Sequence, residues 1–524
     1  MNGFDLIDEP WLPCLFPGAA RAQDLSLREV FRRAHEVAEL SDRSPLVTAA
    51  LHRLLLAILH RAFQGPRSEE EWGELWSAGR FDERVQDYLE RWRERFDLFH
   101  AERPFYQVAG LEEELAAPVH VLSPDFSAGN NPVLFDHTTD DTPPALTPAE
   151  AARYLVATQA FAIGGLITRR KGEPASAKAS HLVKAAVLLN VGANLFETLM
   201  LNLVRYDGKA SAPFEFDPQE DAPAWEQEPP RREARRIRGY VDLLTWQSRQ
   251  LLLFRDSDGF IRRAVRMEGW RFEEYEPIES KETMAAFRLV PGARKDDPGT
   301  WVPVGFSPDR ALWRDTVRLV DRSSSEESRP PRVLTWLQDL REARELPERF
   351  AATTVTAFGM AADRSKVHLW RREALTLPLA YLERPDLVPP LRDGLNLAER
   401  VGTLLRNAVR DLAREALAPV DGANPDPGRV SALAESFESL PVYWASLDLP
   451  FRDYLLALPE DFRGARAAWA EAIESAARRG FALAEGAVSA DAIGFRASAR
   501  VRPRFEGTLW AVTRDWKPEP VVNS

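Results

Sequence analysis

Side chains able to do acid–base, nucleophilic or metal chemistry are present, but their spacing does not form a recognised catalytic pattern. The chain has no GxxxxGKS/T phosphate loop, no HExxH, no GxSxG and no adjacent His-Asp pair. Glu279-Ser-Lys281 matches half of a nuclease motif, but so short a match often arises by chance, and a solvated turn is the simpler interpretation. The eight histidines lack metal-ligand spacing and lie at positions 35, 52, 60, 100, 120, 137, 181 and 368. We therefore expect neither catalysis nor a metal site.

Basic residues are concentrated in one short segment that follows two glycines, Gly164 and Gly165. Residues 168–184 include a single acidic residue, Glu173, and the basic residues Arg169, Arg170, Lys171, Lys178 and Lys184. Small residues let a backbone approach phosphates closely, and cations release the counterions of a nucleic acid. The segment therefore fits a phosphate contact or, alternatively, a solvated connection between helices. A second basic cluster, Arg231–Arg238, follows an acidic stretch and is compatible with a charged linker.

Overall composition limits what such a basic segment can mean. The 524 residues include 80 acidic and 68 basic side chains, which gives a formal charge of −12. General attraction to nucleic acids or anionic membranes is therefore not expected, and any anion-binding surface must be local. Cys14 is the only cysteine, which excludes intramolecular disulfides and Cys-pair zinc sites and suits a reducing cytosol.

The elements that must position these residues follow from capping signals and hydrophobic periodicity. Ser26-Leu-Arg-Glu29, Ser68-Glu-Glu-Glu71 and Thr147-Pro-Ala-Glu150 fit the capping box and predict three helix starts. Ser44-Pro45 precedes a broad apolar stripe and predicts a buried helix. The sequence begins without a basic, apolar leader, and its strongest apolar run, Tyr154–Ile167, is too short and polar to cross a bilayer, so we expect a cytoplasmic protein.

The middle and the end of the chain have different patterns. Short apolar runs divided by turn residues, such as YVDLLTW, RQLLLFRD and FIRRAVRM, indicate a strand-rich region with a hairpin turn at Ser257-Asp258-Gly259. FAATTVTAF and VHLWRREALTL predict a second hairpin with Gly359–Lys366 as its exposed tip. From Pro385 onward, four helical stretches with polar breaks suggest an antiparallel bundle.

Six strings occur in order between residue 4 and about residue 375: FDLIDEPWLP, FHAERPFYQV, NNPVLFDHTTDD, RGYVDLLTWQSRQLLLF, PDRALWRDTVRL and AFGMAADRSKVHLWRRE. They resemble successive landmarks of the CasA family, the large subunit of the type I-E CRISPR surveillance complex, Cascade. The resemblance implies an α+β fold: a mainly helical N-terminal domain with small β-sheets and hairpins over residues 1–384, and a C-terminal four-helix bundle over residues 385–524.

The resemblance also implies a function without catalysis. Such a subunit binds double-stranded DNA, recognises the protospacer-adjacent motif, promotes strand separation and helps recruit the helicase-nuclease. The implied partners are the other Cascade proteins, the guide RNA held by the complex and the target duplex, with no membrane and no cofactor. Two other classes remain open, a stand-alone metal-dependent nuclease and a purely structural scaffold.

The resemblance places DNA contacts in loops. Residues 130–141 correspond to the mobile loop of the family, 163–166 to its glycine loop, 293–296 to its basic finger and 362–366 to a hairpin inserted into the duplex. The apolar pair of the first loop has burial in the core as its alternative, and the basic finger has an ordinary charged turn. The candidate DNA-binding residues are Leu134, Phe135, Asp136, Gly164, Gly165, Arg169, Arg170, Lys171, Lys178, Arg294, Lys295, Asp363, Arg364 and Ser365.

Overall fold

The computed structural model describes residues 3–122, 144–208, 215–292, 294, 299–322, 327–363, 366–418, 424–488 and 492–517. The chain divides into two compact units, residues 1–374 and 375–524. Residues 375–384, which the sequence assigns to the N-terminal domain, therefore belong to the second unit. Helices, small sheets and hairpins make up the first unit and helices most of the second, which confirms the predicted α+β class.

The helices of the first unit are α1 (Leu27–Arg33), α2 (Pro45–Phe63), α3 (Glu69–Ser77), α4 (Glu83–Arg91), α5 (Pro148–Phe161), α6 (Leu195–Asn202), α7 (Tyr240–Leu244), α8 (Ile278–Lys281), α9 (Thr316–Val320) and α10 (Arg332–Glu342). Ser26 and Thr147 form the predicted capping boxes. Ser68 accepts the N–H of Glu71, but the carboxylate of Glu71 accepts the N–H of Arg67, so the reciprocal half of that box is not formed.

The core of the first unit is organised around α2, which packs against α4, α5, α7 and the long strand β15 (Ala352–Asp363). Leu51, Leu55 and Ile58 are fully buried, which confirms the prediction for this helix. By length and composition alone α2 is able to cross a membrane, yet 89% of its most apolar window is buried within the protein. The helix is therefore explained by its place in the core.

The strands are β1 (Leu12–Leu15), β2 (Gln23–Leu25), β3 (Glu39–Leu40), β4 (Ala117–Pro118), β5 (Gly165–Leu166), β6 (Ser176–Ala177), β7 (Val187–Val191), β8 (Ala234–Arg235), β9 (Arg249–Arg255), β10 (Ile261–Glu268), β11 (Arg271–Phe272), β12 (Phe287–Val290), β13 (Thr300–Pro303), β14 (Ser328–Arg329), β15 (Ala352–Asp363) and β16 (Lys366–Pro378). They form small sheets in the orders β2-β1-β3, β4-β10-β9, β11-β8, β13-β12-β14, β16-β15-β7 and β5-β6.

Both predicted hairpins are present, and one differs at its tip. β9 and β10 pair around a turn in which Gly259 has a φ of +88°, the left-handed conformation that glycine tolerates. In the second hairpin, β15 continues to Asp363, and Met360 and Ala361 are buried. The predicted tip at Gly359–Lys366 is therefore wrong for Gly359–Asp363, because their backbone belongs to a strand.

The segment YVDLLTW, which the sequence assigns to the strand-rich region, begins with helix α7. The carboxylate of Asp221, far from α7 in sequence, accepts the N–H groups of Val241 at 2.9 Å and Asp242 at 2.8 Å. These are N–H groups that a helix start leaves without intrahelical partners. A distant side chain thus decides the local structure here.

The second unit contains α11 (Ala380–Glu383), α12 (Val388–Leu417), α13 (Pro427–Ser436), α14 (Ser439–Ser446), α15 (Asp448–Ala457), α16 (Phe462–Ala487) and α17 (Ala492–Thr513). The long helices α12, α16 and α17 pack together, as the predicted bundle requires. The remaining side is divided into short helices, with a break between α13 and α14 at Glu438, whose φ is +52°.

Candidate nucleic-acid interface

Residues 164–178 form a hairpin, here called the glycine hairpin, that brings six predicted site residues onto one element. Its strands β5 and β6 are antiparallel, with Gly165 opposite Ala177 and Leu166 opposite Ser176. The hairpin follows α5, which ends at Phe161. The residues brought together are Gly164, Gly165, Arg169, Arg170, Lys171 and Lys178.

The two glycines are required by the local backbone. A Cβ atom at Gly164 would lie 2.9 Å from the backbone nitrogen of Ala179 and 3.1 Å from the carbonyl oxygen of Ala177, so a side chain would press on the opposite strand. Gly165 has a φ of +122°, which residues with a Cβ rarely adopt. The Gly-Gly pair therefore permits the tight base of the hairpin as well as a close approach from outside.

A buried arginine holds the base of the hairpin together. The Nη2 group of Arg249 donates hydrogen bonds to the carbonyl oxygens of Ala162 at 3.2 Å, Ile163 at 3.2 Å and Lys178 at 2.8 Å. Arg249 is 2% exposed, and burial lowers the pKa of its guanidinium to about 9. The charge remains at neutral pH and links the residues entering and leaving the hairpin.

A second arginine fixes the outgoing strand. Arg232 donates to the carbonyl oxygens of Pro174 at 3.0 Å and Ser176 at 3.1 Å. Its guanidinium also lies 2.8 Å from the carboxylate of Glu268, which accepts the backbone N–H of Lys178 at 3.1 Å. Arg232 thus connects the hairpin to strand β10.

The second basic cluster is consequently more than a charged linker. Besides Arg232, it contains Arg235, which makes two 2.7 Å hydrogen bonds to the buried carboxylate of Asp242. The guanidinium of Arg235 also lies 4.1 Å from the ring centroid of Trp246, within the range of a cation–π contact. These two arginines stabilise the fold, so the linker interpretation is wrong for them.

The cations of the glycine hairpin differ in how they are engaged. All four candidates are exposed. Arg169 donates to the carbonyl oxygen of Glu173, and Arg170 lies 3.7 Å from the carboxylate of Glu112. Among the described residues, Lys171 and Lys178 have no ion-pair partner within 4.0 Å. Exposed pairs of this kind are weak, so the hairpin presents a positive surface to solvent.

Two further predicted site residues lie within the described part of the chain. Arg294 is exposed in the connection between β12 and β13. Asp363 ends strand β15. The remaining candidates, Leu134, Phe135, Asp136, Lys295, Arg364 and Ser365, lie outside the described residues.

Three of the histidines and one residue of the short nuclease-like string have structural environments. Burial lowers the pKa values of His52 and His60 to about 4, so both are neutral at pH 7. His181 is also buried, 3.4 Å from Glu282. Lys281 of the short nuclease-like string pairs with Glu276. Within the described ranges, no cluster of three histidine, cysteine or acidic residues is suited to hold a metal ion.

Sequence inspection missed Arg249 and Glu268, and it did not single out Arg232 within the second basic cluster or Leu166 within residues 163–166. An arginine within the apolar run RQLLLF was a usable sign of a buried cation, since buried charges require specific partners. Its partners were not predictable, because Ala162 and Ile163 lie 87 and 86 residues away. Leu166 was overlooked, although its side chain is 85% exposed beside the two glycines.

The fold and the site together define a two-unit α+β protein, with a C-terminal helical bundle and a cationic glycine hairpin on its first unit. The family model of CRISPR-associated protein Cse1 matches residues 5–479. The CRISPR-associated protein CasA/Cse1 of Thermus thermophilus is 36% identical over 490 residues, covering 91% of each chain. The chain therefore belongs to the CasA/Cse1 family of CRISPR-associated proteins.

Solved structures agree with this assignment. The crystal structure of Thermus thermophilus CasA matches with a TM-score of 0.81 and 32% identity, covering 97% of this chain and 100% of that one. Thermobifida fusca Cse1 matches with a TM-score of 0.81 and 28% identity, covering 98% and 99%. A chain of a CRISPR RNA-guided surveillance complex, 23% identical, has the same fold, with a TM-score of 0.77 and coverage of 97% and 100%.

Proposed function

We propose that the protein is the large subunit of a type I-E CRISPR RNA-guided surveillance complex, Cascade, and that it binds double-stranded target DNA and recognises the protospacer-adjacent motif. Membership of the CasA/Cse1 family supports the subunit role. The observation that carries the DNA-binding role is the glycine hairpin: an exposed cationic element fixed at its base by Arg249. A rigid element loses little conformational entropy when it binds.

The charge distribution fits a restricted DNA-binding face. A chain with a net charge of −12 repels a polyanion at long range, so duplex must be held by a local surface. The hairpin carries the four exposed cations and a single carboxylate, Glu173, which accepts the backbone N–H of Arg170 at 3.1 Å and lies 3.7 Å from Arg232. This carboxylate is thereby directed toward protein groups, and the cations remain available to phosphates.

The backbone at Gly164 and Gly165 carries no side chain and so admits a close approach of the duplex, while Lys295 and Arg294 suit acceptor atoms in the minor groove. That groove distinguishes A·T from G·C but separates the four base pairs poorly. We therefore expect tolerance of several flanking motifs. We assign strand separation to Arg364 and Ser365, together with Asp363 at the end of β15, because the planar guanidinium of Arg364 is suited to stack on an exposed base. Leu134, Phe135 and Asp136 complete the proposed contact surface.

Within the proposed complex, the guide RNA reads target sequence by base pairing, and this subunit reads the adjacent duplex. The protein then helps recruit the helicase-nuclease that degrades the target, in the cytoplasm, without a catalytic step or a cofactor of its own. A purely structural scaffold and a stand-alone metal-dependent nuclease are the competing functions. Duplex binding by the complex would exclude the purely structural scaffold. Magnesium-dependent cleavage by the purified chain would support the stand-alone nuclease.

The test is electrophoretic titration of the reconstituted complex against duplex targets with a library of flanking trinucleotides. In the decisive variant Arg169, Arg170, Lys171 and Lys178 are all replaced by alanine. Each lost phosphate contact lowers the slope of log K against log salt by about 0.9. We expect weaker binding at every motif with little change in preference, because phosphate contacts carry no sequence information.

The matched control removes the same charge from exposed arginines elsewhere in the first unit: Arg21, Arg67, Arg80 and Arg344. This control keeps the salt slope of the original complex if the hairpin binds phosphates directly. Equal slopes for the original complex and the hairpin variant would mean that the hairpin is a solvated loop. Absence of any motif-dependent duplex binding by the original complex would refute the proposed function itself.

A further inference from the structure

Leu166 is an exposed leucine, although Ala177 on the strand paired with it is buried. Its side chain is 85% exposed, whereas Ala177, on the paired strand, is 8% exposed. Leucine gains free energy when it leaves water, so an isolated exposed leucine is ordinary but one at a binding element is informative. Leu166 directly follows Gly165 and precedes the cationic part of the glycine hairpin.

The exposure of Leu166 is imposed by a well-anchored backbone. Leu166 pairs with Ser176, whose carbonyl oxygen accepts a hydrogen bond from Arg232 at 3.1 Å. Arg249 holds the carbonyl oxygens of Ile163 and Lys178 on either side of the strand pair. The side chain is therefore presented to solvent by a braced strand, and its own two χ angles are the main freedom it loses on binding.

The surroundings of Leu166 indicate what it contacts. Exposed cations follow it at Arg169 and Lys171 and lie across the hairpin at Lys178. Proteins that bind the minor groove use this combination: cations hold the phosphates while an apolar side chain enters between base pairs and unstacks them. We propose that Leu166 is an apolar wedge that inserts at a base step when duplex DNA docks on the glycine hairpin.

This role of Leu166 rests on the proposed function and deepens it, because it adds a contact that senses how easily a base step opens. Pyrimidine–purine steps unstack most readily. The complex then favours duplexes with such a step beside the hairpin, at positions where no hydrogen bond reads the base. Preference of this kind arises from deformation of the DNA and adds to minor-groove readout.

The experiment places 2-aminopurine at successive positions of the duplex flanking the motif and measures its fluorescence on binding to the reconstituted complex. The wild-type complex is expected to increase the fluorescence at one step. Leu166→Ala removes that increase and weakens binding about tenfold, while Leu166→Met, which keeps an apolar side chain of similar reach, retains both. Because no charge is removed, the salt slope stays at its wild-type value.

Leu449→Ala is the matched control, since Leu449 is 67% exposed in the second unit; it leaves fluorescence and affinity unchanged. Wild-type fluorescence and affinity in Leu166→Ala would overturn the wedge while leaving the proposed function intact. Poor assembly of the Leu166→Ala complex without DNA would overturn it as well, because Leu166 would then contact another protein subunit. If the wild-type complex binds no duplex, the proposed function fails and the wedge with it.

Discussion

Replacing Arg249 by methionine is expected to leave the stability of the first unit nearly unchanged while it loosens the glycine hairpin. The guanidinium makes four hydrogen bonds to carbonyl oxygens, at Ser248, Ala162, Ile163 and Lys178. Nη2 has two hydrogens for three of these acceptors, so the contacts amount to three full bonds, which at about 1.5 kcal/mol each contribute about 4 to 5 kcal/mol. Burial lowers the pKa of Arg249 from its usual value to about 9, and at about 1.4 kcal/mol per unit of pKa the buried charge costs about 5 kcal/mol.

These two contributions nearly cancel, so the free energy of unfolding of the first unit should change by less than about 2 kcal/mol. The hairpin, however, loses a common donor for residues at both sides of its base. Removal of about 3 kcal/mol of local stabilisation would accelerate amide exchange more than 100-fold. The reporters are the N–H of Ile167, bonded to the carbonyl of Ala175 at 3.1 Å, and the N–H of Ser180, bonded to that of Ala162 at 2.9 Å.

The assays are urea unfolding and hydrogen exchange over residues 162–180, followed by DNA titration of the reconstituted complex. Arg266→Met is the matched control, since burial also lowers the pKa of Arg266, to about 10, on the neighbouring strand β10. Arg266 is half-buried and, among the described residues, makes no hydrogen bond to the hairpin, although its charge contributes to lowering the pKa of Arg249. Unchanged exchange over 162–180 in Arg249→Met would refute the reasoning, as would accelerated exchange of equal size in both variants.

Three further predictions concern the hairpin base, a buried histidine and the β15–β16 tip. Gly165→Trp is expected to abolish duplex binding, alone or combined with Lys295→Ala. The control is Gly172→Trp at the open end of the same hairpin, which should reduce binding much less because nothing lies within 4 Å of a Cβ atom there. Wild-type binding by the double variant would argue against this site. Because the pKa of His60 is lowered from 6.5 to about 4, its neutral form stabilises the fold above pH 6.5, and the free energy of unfolding falls by about 2 kcal/mol between pH 7 and pH 5. His60→Gln should lack this part of the pH dependence in urea titrations. An unchanged pH dependence in that variant would exclude His60 as its source. Replacement of Asp363–Ser365 by glycines should slow R-loop formation on intact duplex but much less on a target with a preformed bubble beside the motif, and equal slowing on both would assign the tip to docking.

Local signals predicted those parts of the fold that depend on neighbouring residues. Ser26 and Thr147 cap their helices because donor, acceptor and helix start lie within three residues of one another. The turn at Ser257-Asp258-Gly259 likewise follows from glycine tolerating a positive φ. The buried face of α2 follows from its 3.6-residue period. Each of these features is decided within one element.

Features decided by distant partners were not predictable. Tyr240–Leu244 is helical because Asp221 accepts its first N–H groups, and inspection of YVDLLTW alone had no access to that contact. The same holds for the β15 strand, where Gly359 lies against the carbonyl of Ala185, 2.6 Å from where its Cβ would be. Gly359 is needed because two backbone segments approach closely, whereas the local sequence suggested that this glycine belonged to a turn.

The candidate site shows why the number of charges along a sequence does not tell cations available for binding from cations that stabilise the fold. The segments around Arg169 and Arg232 look equally basic in the sequence. Arg232 pairs with Glu268 and donates hydrogen bonds to two carbonyl groups. Lys171 and Lys178 are exposed to solvent and have no ion pair among the described residues. What distinguishes them is whether a carboxylate lies within reach in three dimensions. In an acidic protein many cations have such a partner, so the exposed lysines of a braced hairpin, whose one carboxylate is turned toward the protein, are the basis for proposing it as a surface for a polyanion. Under the proposed function, the arginines that brace the hairpin use their own charge within the fold and leave the charge of Lys171 and Lys178 for phosphates.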